Sequence, residues 1–263
     1  MTSLRNRRLN FSSLRGGTSL PAYRCVCWCL FIVFALPAFS DITPQQSSAD
    51  DIVTRLISNN AHRAETLREY TGLRVYEVNY QGFPTGHKHA QMVIRIDYKA
   101  PHQKSFSVVS EDGSKLLLNH VLHKLIQTEQ ETSGNKEHAD SDLSRENYQF
   151  ELLGTGDKNG RNCYILQVIP KRANKLLYRG NTWVDRQEFA VVHIEAQPAR
   201  SPSFWISEIR IEHDYSKIGR YWLPVRNHST SRVRFGGTSV LTIDYKDYEI
   251  DPGQKQNVST GTK

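Results

Sequence analysis

The chain has 263 residues, of which 38% are hydrophobic and 10% aromatic, a composition that excludes a disordered protein and fits one sizeable folded domain. Its formal charge of +7 belongs to the N-terminus. Arg5, Arg7, Arg8, Arg15 and Arg24 are the only charged residues before Asp41, and without them 29 basic residues of the total 34 face 27 acidic ones. That near balance argues against the basic face a nucleic-acid binder needs.

Residues 1–40 read as an export signal. A basic, Ser/Thr-rich stretch leads into the apolar run Cys25–Leu36, and Ala38 and Ser40 suit signal-peptidase cleavage before Asp41. The run is shorter than the roughly 20 residues of a spanning helix. Cleavage is the expected fate, which places the mature chain in the periplasm; retention as an inner-membrane anchor is the alternative. Three of the four cysteines lie in this segment, which leaves Cys163 without an intrachain partner. Beside Tyr164, Ile165 and Leu166 it is expected to be buried and inert.

Residues 41–49 form a polar lead-in. Asp50 and Asp51 then open a helix over 51–69, since acids favour the positive end of a helix. Ile52, Leu56, Ile57, Ala64 and Leu67 recur at helical spacing, and Thr71-Gly72 is expected to stop it. From there the period changes to two. Met92, Ile94, Ile96 and Tyr98 alternate with polar or exposed positions, as do Trp205, Ile209, Ile211, His213 and Tyr215, and Leu241, Ile243 and Tyr245. Such alternation marks strands with one apolar and one wet face.

Strands are predicted near 73–80, 89–99, 103–110, 147–155, 161–170, 175–185, 188–197, 204–215, 221–234 and 238–250, with a short one near 115–118. The turn residues of Glu111–Ser114, Asp157–Gly160, Arg186–Gln187, Ser216–Gly219 and Gly236–Gly237 join them as hairpins. Sequence neighbours are therefore expected to pair in space. A helix over 119–131, with Val121, Leu122 and Leu125 clustered, and a polar loop to Arg145 interrupt the series. The tail 251–263 is polar.

A meander this long must curl or split. The expected fold is mainly β with a few α-helices: an unclosed antiparallel half-barrel of about ten to eleven strands over residues 50–250. Its apolar faces turn to the concave side, and two helices cover the mouth.

The helix followed by Leu73-Arg74-Val75-Tyr76 resembles the LolA/LolB/RseB superfamily of periplasmic lipoprotein-sorting proteins. So do Tyr178–Asp185, with its Trp183-Val184-Asp185 ending, the strand Phe189–Glu195, Phe204-Trp205-Ile206 and Tyr221-Trp222-Leu223-Pro224. The resemblance covers about residues 50–250. It implies an unclosed eleven-stranded barrel with a helical lid and an acyl-binding cavity.

Function follows from the inward face. Residues expected to line an apolar groove are Met92, Ile94, Ile96, Tyr98, Tyr164, Leu166, Val168, Trp205, Ile209, Ile211, Leu241 and Ile243. The alternative for each is ordinary packing against the helices. Partners are then the acyl chains of a lipid or lipoprotein, or an envelope protein bound through the same fold, with the chain itself a monomer. No catalytic residue or cofactor is expected. There is no Gly-x-Ser-x-Gly elbow and no HExxH, and His120 and His123, three apart on one helix face, lack a third ligand. Glu208, Arg210, Glu212 and Asp214 read as a wet strand face, and Asp185 as a turn former.

Overall fold

The computed structural model describes residues 48–83, 86–101, 103–131, 141–201, 206–234 and 236–251. The export signal, nearly all of the lead-in, most of the loop after residue 131, Trp205 and nearly all of the tail lie outside them.

Helix α1 (Ala49–Thr66) starts where the Ser48 hydroxyl accepts a hydrogen bond from the Asp51 amide at 3.1 Å, with Asp50 and Asp51 in its first turn. It ends before Thr71-Gly72, not at it. Leu67 is extended, and Thr71 and Gly72 lie inside strand β1 (Glu69–Gly82), paired with β2 on one side. A cross-strand partner for each residue from Glu69 onward outweighs the local breaker signal.

Nine more strands follow: β2 (Gly86–Lys99), β3 (Gln103–Gly113), β4 (Tyr148–Lys158), β5 (Arg161–Pro170), β6 (Tyr178–Asp185), β7 (Val191–Pro198), β8 (Ile206–Ile218), β9 (Tyr221–Val233) and β10 (Thr238–Ile250). All ten form one antiparallel sheet in the order β3-β2-β1-β10-β9-β8-β7-β6-β5-β4. The sheet is unclosed, with β3 and β4 at its edges, and is the helix-lined half-barrel expected from the alternation. Sequence neighbours pair throughout except at one step. After β3 the chain leaves the sheet and re-enters at the opposite edge, so β1 pairs with β10, as in Tyr76 opposite Ile243.

The crossover corrects two expectations. Residues 115–118 are helical, and Glu111–Ser114 is not a hairpin turn. Strand β3 runs through Gly113, and the chain continues into α2 (Lys115–Leu117), a π-helical turn (Leu118–Leu122) and α3 (His123–Glu131). Leu117, Leu118, Leu122 and Ile126 recur at helical spacing and are buried, a stripe that no strand could present to one face. The Asp157–Gly160 hairpin forms as expected, with Asn159 and Gly160 at φ 51° and 72°.

Each helical segment covers a different part of the concave face. The α2–α3 segment packs on β1, β2 and β10 through Tyr76, Val78, Met92, Ile94 and Ile243. Helix α1 sets Ile52, Val53 and Leu56 against Tyr164, Leu166 and Val184. Burying one such side chain contributes about 1.5–3 kcal/mol.

A polar clamp fixes the first contact. Arg74, only 6% exposed, donates from Nη1 to both Glu129 carboxylate oxygens, at 3.0 and 2.8 Å. Lys104 reaches the same carboxylate at 3.1 Å, and Arg74 lies over the rings of Phe106 and Tyr245. Strands β1 and β3 are thereby tied to α3. Among the described residues, no helix is long and apolar enough to cross a membrane.

Candidate functional site

Between the two helix-covered regions, among the described residues, the concave face of β7–β9 meets the C-terminal half of α1 and two loops. A cavity of about 590 Å³ lies there. Asn60, Arg63 and Ala64 of α1, with Leu67 just past its end, form one wall. Ser141–Leu143 and Lys175–Tyr178 form the rim. Val191, Ile194, Ala196 and Pro198 of β7, Ile211, His213 and Tyr215 of β8, and Tyr221–Leu223 at the start of β9 form the floor. Small side chains help to leave it open. Ala64 on one side and Ala196 on the other each bring only a methyl group to the lining.

The wall is fastened by polar contacts outside the hollow. Arg63 donates from Nη2 to the Glu188 carbonyl and from Nη1 to the Phe189 carbonyl at 3.4 Å. Asn59 also donates to the Glu188 carbonyl, at 3.0 Å. The Tyr221 hydroxyl donates to the Thr66 carbonyl at 2.7 Å, satisfying one of the exposed acceptors at the helix end. Below, the Glu188 carboxylate takes Lys217 Nζ at 2.8 Å and Trp222 Nε1 at 3.0 Å. Burial works against that carboxylate's charge, but these two donors hold its pKa below the ordinary glutamate value. Asp185 accepts from the amides of Gln187 and Glu188 at 2.9 and 2.7 Å and pairs with Arg161 at 2.8 Å. It is a turn former, as its position after Trp183-Val184 suggests.

His213 and Tyr215 differ from the other polar groups of the floor. Their rings stack at 6.4 Å, and burial pulls the imidazole pKa down to about 4, with His193 adding and Asp214 opposing. Burial pushes the Tyr215 phenol up to about 12. Both are neutral over the whole physiological range, so the floor carries polarity without charge.

The eleven described residues of the predicted groove all sit on the concave face, in register rows such as Met92–Tyr76–Ile243 and Leu166–Thr182–Ile194. Of these, only Ile211 lines the cavity. Met92, Ile94 and Ile96 are fully buried in the β1–β2 region, the first two under α2–α3. Leu166 and Tyr164 pack under α1, and Val168 joins Tyr148 and Leu177. Ile243 is buried, Ile209 and Leu241 are half-buried, and Tyr98 stacks on Tyr70 at 5.0 Å. The floor residues Ile194, Ala196, His213 and Tyr215 are absent from the predicted set. The parity of His213 and Tyr215 with Ile211 pointed to them. The loop residues Leu176 and Leu177 and the helix residue Arg63 gave no comparable signal, and the helical spacing of Leu67 pointed only to packing.

Chemistry elsewhere is sparse. His123 pairs with Glu111 at 3.0 Å and His89 with Glu77 at 3.7 Å. On the convex face His193 is held between Asp214 and Glu195, at 2.7 and 3.1 Å. Asp214 is thus an acceptor for a buried ring and not simply a solvated position of the wet face. Among the described residues, no group of three or more His, Cys, Asp or Glu side chains is placed to hold a metal ion. Cys163 is buried, its thiol donates to the Arg161 carbonyl at 3.3 Å, and burial with the nearby Asp185 pushes its pKa up to about 11.

Residues 141–247 match a family of unknown function, DUF5686. No curated protein matches the chain. Similar solved structures include a DUF1329 family protein from Desulfovibrio piger, at 13% identity and a TM-score of 0.40 over 79% of this chain and 95% of that one. An outer membrane lipoprotein-sorting protein domain from Vibrio parahaemolyticus matches at 11% identity and 0.38, over 80% and 96%. A LolA superfamily protein from Nitrosomonas europaea matches at 12% identity and 0.34, over 80% and 97%. Solved structures similar to this chain thus include a member of the superfamily that its sequence resembles.

Proposed function

We propose that this chain is a non-catalytic carrier that holds the acyl part of a lipid or lipidated protein between α1 and the floor formed by β7–β9, in the periplasm. The observation that carries this is the preformed hollow of about 590 Å³ with mostly apolar walls. It falls within the size range of about 300–1,000 Å³ typical of small-molecule sites. Removing a methylene from water contributes about 0.8 kcal/mol, so even ten enclosed carbons supply roughly 8 kcal/mol before ordering costs. Of the predicted groove residues, Ile211 contacts the chain in this arrangement. Met92 and Ile94 under α2–α3, and Tyr164 and Leu166 under α1, become available only where those helices lift from the sheet. The test is native purification, organic extraction and mass spectrometry, followed by titration with a fluorescent acyl probe. Repeated recovery of lipid-free protein that takes up no probe refutes the carrier function.

A second reading rests on the outer edge of β3. Among the described residues no strand pairs beyond it, and Val108 and Val109 are 52% and 58% exposed. An extended segment of an envelope partner adds to such an edge as an eleventh strand. Val109→Pro would abolish that capture and leave acyl binding intact.

A further inference from the structure

Within the acyl-binding function proposed above, on which this inference rests, we propose that His213 and Tyr215 form a subsite for an uncharged hydrogen-bonding group of the ligand. The cavity then selects a neutral acyl ester over a free fatty acid or a plain alkane.

Two sets of polar groups around the cavity contrast. Arg63, Tyr221 and Trp222 direct their donors into the protein, to the Glu188 carbonyl, the Thr66 carbonyl and the Glu188 carboxylate. His213 and Tyr215 also line the cavity, but neither the imidazole nor the phenol hydroxyl has a hydrogen-bond partner among the described residues. Their neighbours across the sheet do not pair with them: His213 stands between Ile194 on β7 and Asn227 on β9, whose side-chain oxygen is itself buried without a partner, and Tyr215 stands opposite Pro224 on β9. A polar group taken from water and left unpaired is unfavourable, and pairing it with a ligand group removes that penalty. An aliphatic chain alone lying over this floor would seal both groups away from solvent without satisfying either.

The charge state sets the chemical class. Both groups stay neutral between the acid range of the imidazole and the alkaline range of the phenol. They offer N–H and O–H donors without a cation to balance a carboxylate or phosphate. Arg63 is occupied, and burial disfavours its charge while Glu188 and Asp185 balance it. Lys175, at the rim, is exposed to solvent and its charge is screened there. The complement of two neutral donors among apolar walls is a carbonyl oxygen without formal charge, as in an ester or amide.

The experiment uses the delipidated full chain and displacement of a bound fluorescent acyl probe at pH 8 by methyl palmitate, palmitate and hexadecane. Methyl palmitate is expected to displace the probe at about tenfold lower concentration than either competitor, the scale of one or two net hydrogen bonds. In His213→Leu/Tyr215→Phe that advantage should fall below about twofold, while hexadecane, no longer covering two unpaired polar groups, displaces the probe at a lower concentration than in the parent and so reports an intact cavity. Tyr215→Phe alone, which keeps the ring, should remove part of the advantage and serves if the double variant fails to fold. Palmitate bound as tightly as its ester, or an ester advantage that survives in the variants, overturns the subsite and leaves the carrier function standing. No displacement by any of the three, with no probe uptake at all, overturns both.

Discussion

Replacing Glu129 by alanine removes the anion from the clamp between α3 and the sheet. Arg74 would then keep its charge at 6% exposure with only the Tyr76 hydroxyl at 3.2 Å and two aromatic faces as company. Breaking a buried pair by deleting one member costs about 3–5 kcal/mol. Glu129 itself is 28% exposed, and Lys104 stands by at 29%, so water can reach the gap and the cost falls at or below the lower end of that range. We expect a loss of about 2–3 kcal/mol in urea denaturation, or roughly 5–10 °C in Tm for a domain of this size. The double variant Arg74→Met/Glu129→Leu should recover most of it, because apolar replacement of both partners leaves no orphan charge. Hydrogen exchange should localise the loss in Glu129→Ala to His123–Glu131. The same pair gives an acid limb. Burial raises the Glu129 pKa, but Arg74 and Lys104 outweigh it and hold the pKa below the ordinary value. A depressed carboxyl stabilises the fold above its unfolded pKa of about 4.3, and the contribution is lost as pH falls through the folded value. Stability of Glu129→Ala within about 0.5 kcal/mol of the parent, with an unchanged acid limb, would refute the clamp.

Further outcomes follow from the cavity and the core. Ala196→Phe projects a ring into the floor and should reduce acyl-probe binding at least about tenfold while the far-ultraviolet circular dichroism and melting cooperativity persist. His213, with its folded pKa lowered to about 4 by burial, binds its proton more readily in the unfolded chain. Its contribution is therefore present above about pH 6.5 and lost between there and pH 4, on the order of 3 kcal/mol. His213→Leu should flatten that limb of a Tm-against-pH profile. Cys163, buried and with its thiol pushed up to about 11, should resist a thiol reagent in native buffer at pH 8 and react fully in 8 M urea. Rapid native labelling would show that β5 opens.

The strands were legible because each shows one face to water. Met92, Ile94 and Ile96 alternate with exposed or half-buried neighbours, and the structure pairs them as the period demands. The limits were equally physical. Period-two alternation tells which face a residue is on, not what covers that face. Met92 and Ile211 have the same local pattern, yet α2–α3 rests on one and a hollow lies over the other. The end of α1 was misplaced because Thr71-Gly72 is a local signal, and pairing with Asp97 and Ile96 overrode it. His213 and Tyr215 carried the right parity, but their polarity kept them out of a groove conceived as wholly apolar.

The Asp251 amide reaches the Glu69 carbonyl at 3.1 Å, so the last strand finishes beside the first. Strands β1–β3 can assemble from local hairpins, and so can β4–β10, but the seam between Tyr76 and Ile243 must wait until β10 (Thr238–Ile250) is available. Until then β1 is a temporary rim with an unsatisfied backbone. A molecule cut short of Thr238 leaves that rim open to capture by a chaperone or by another unfolded molecule.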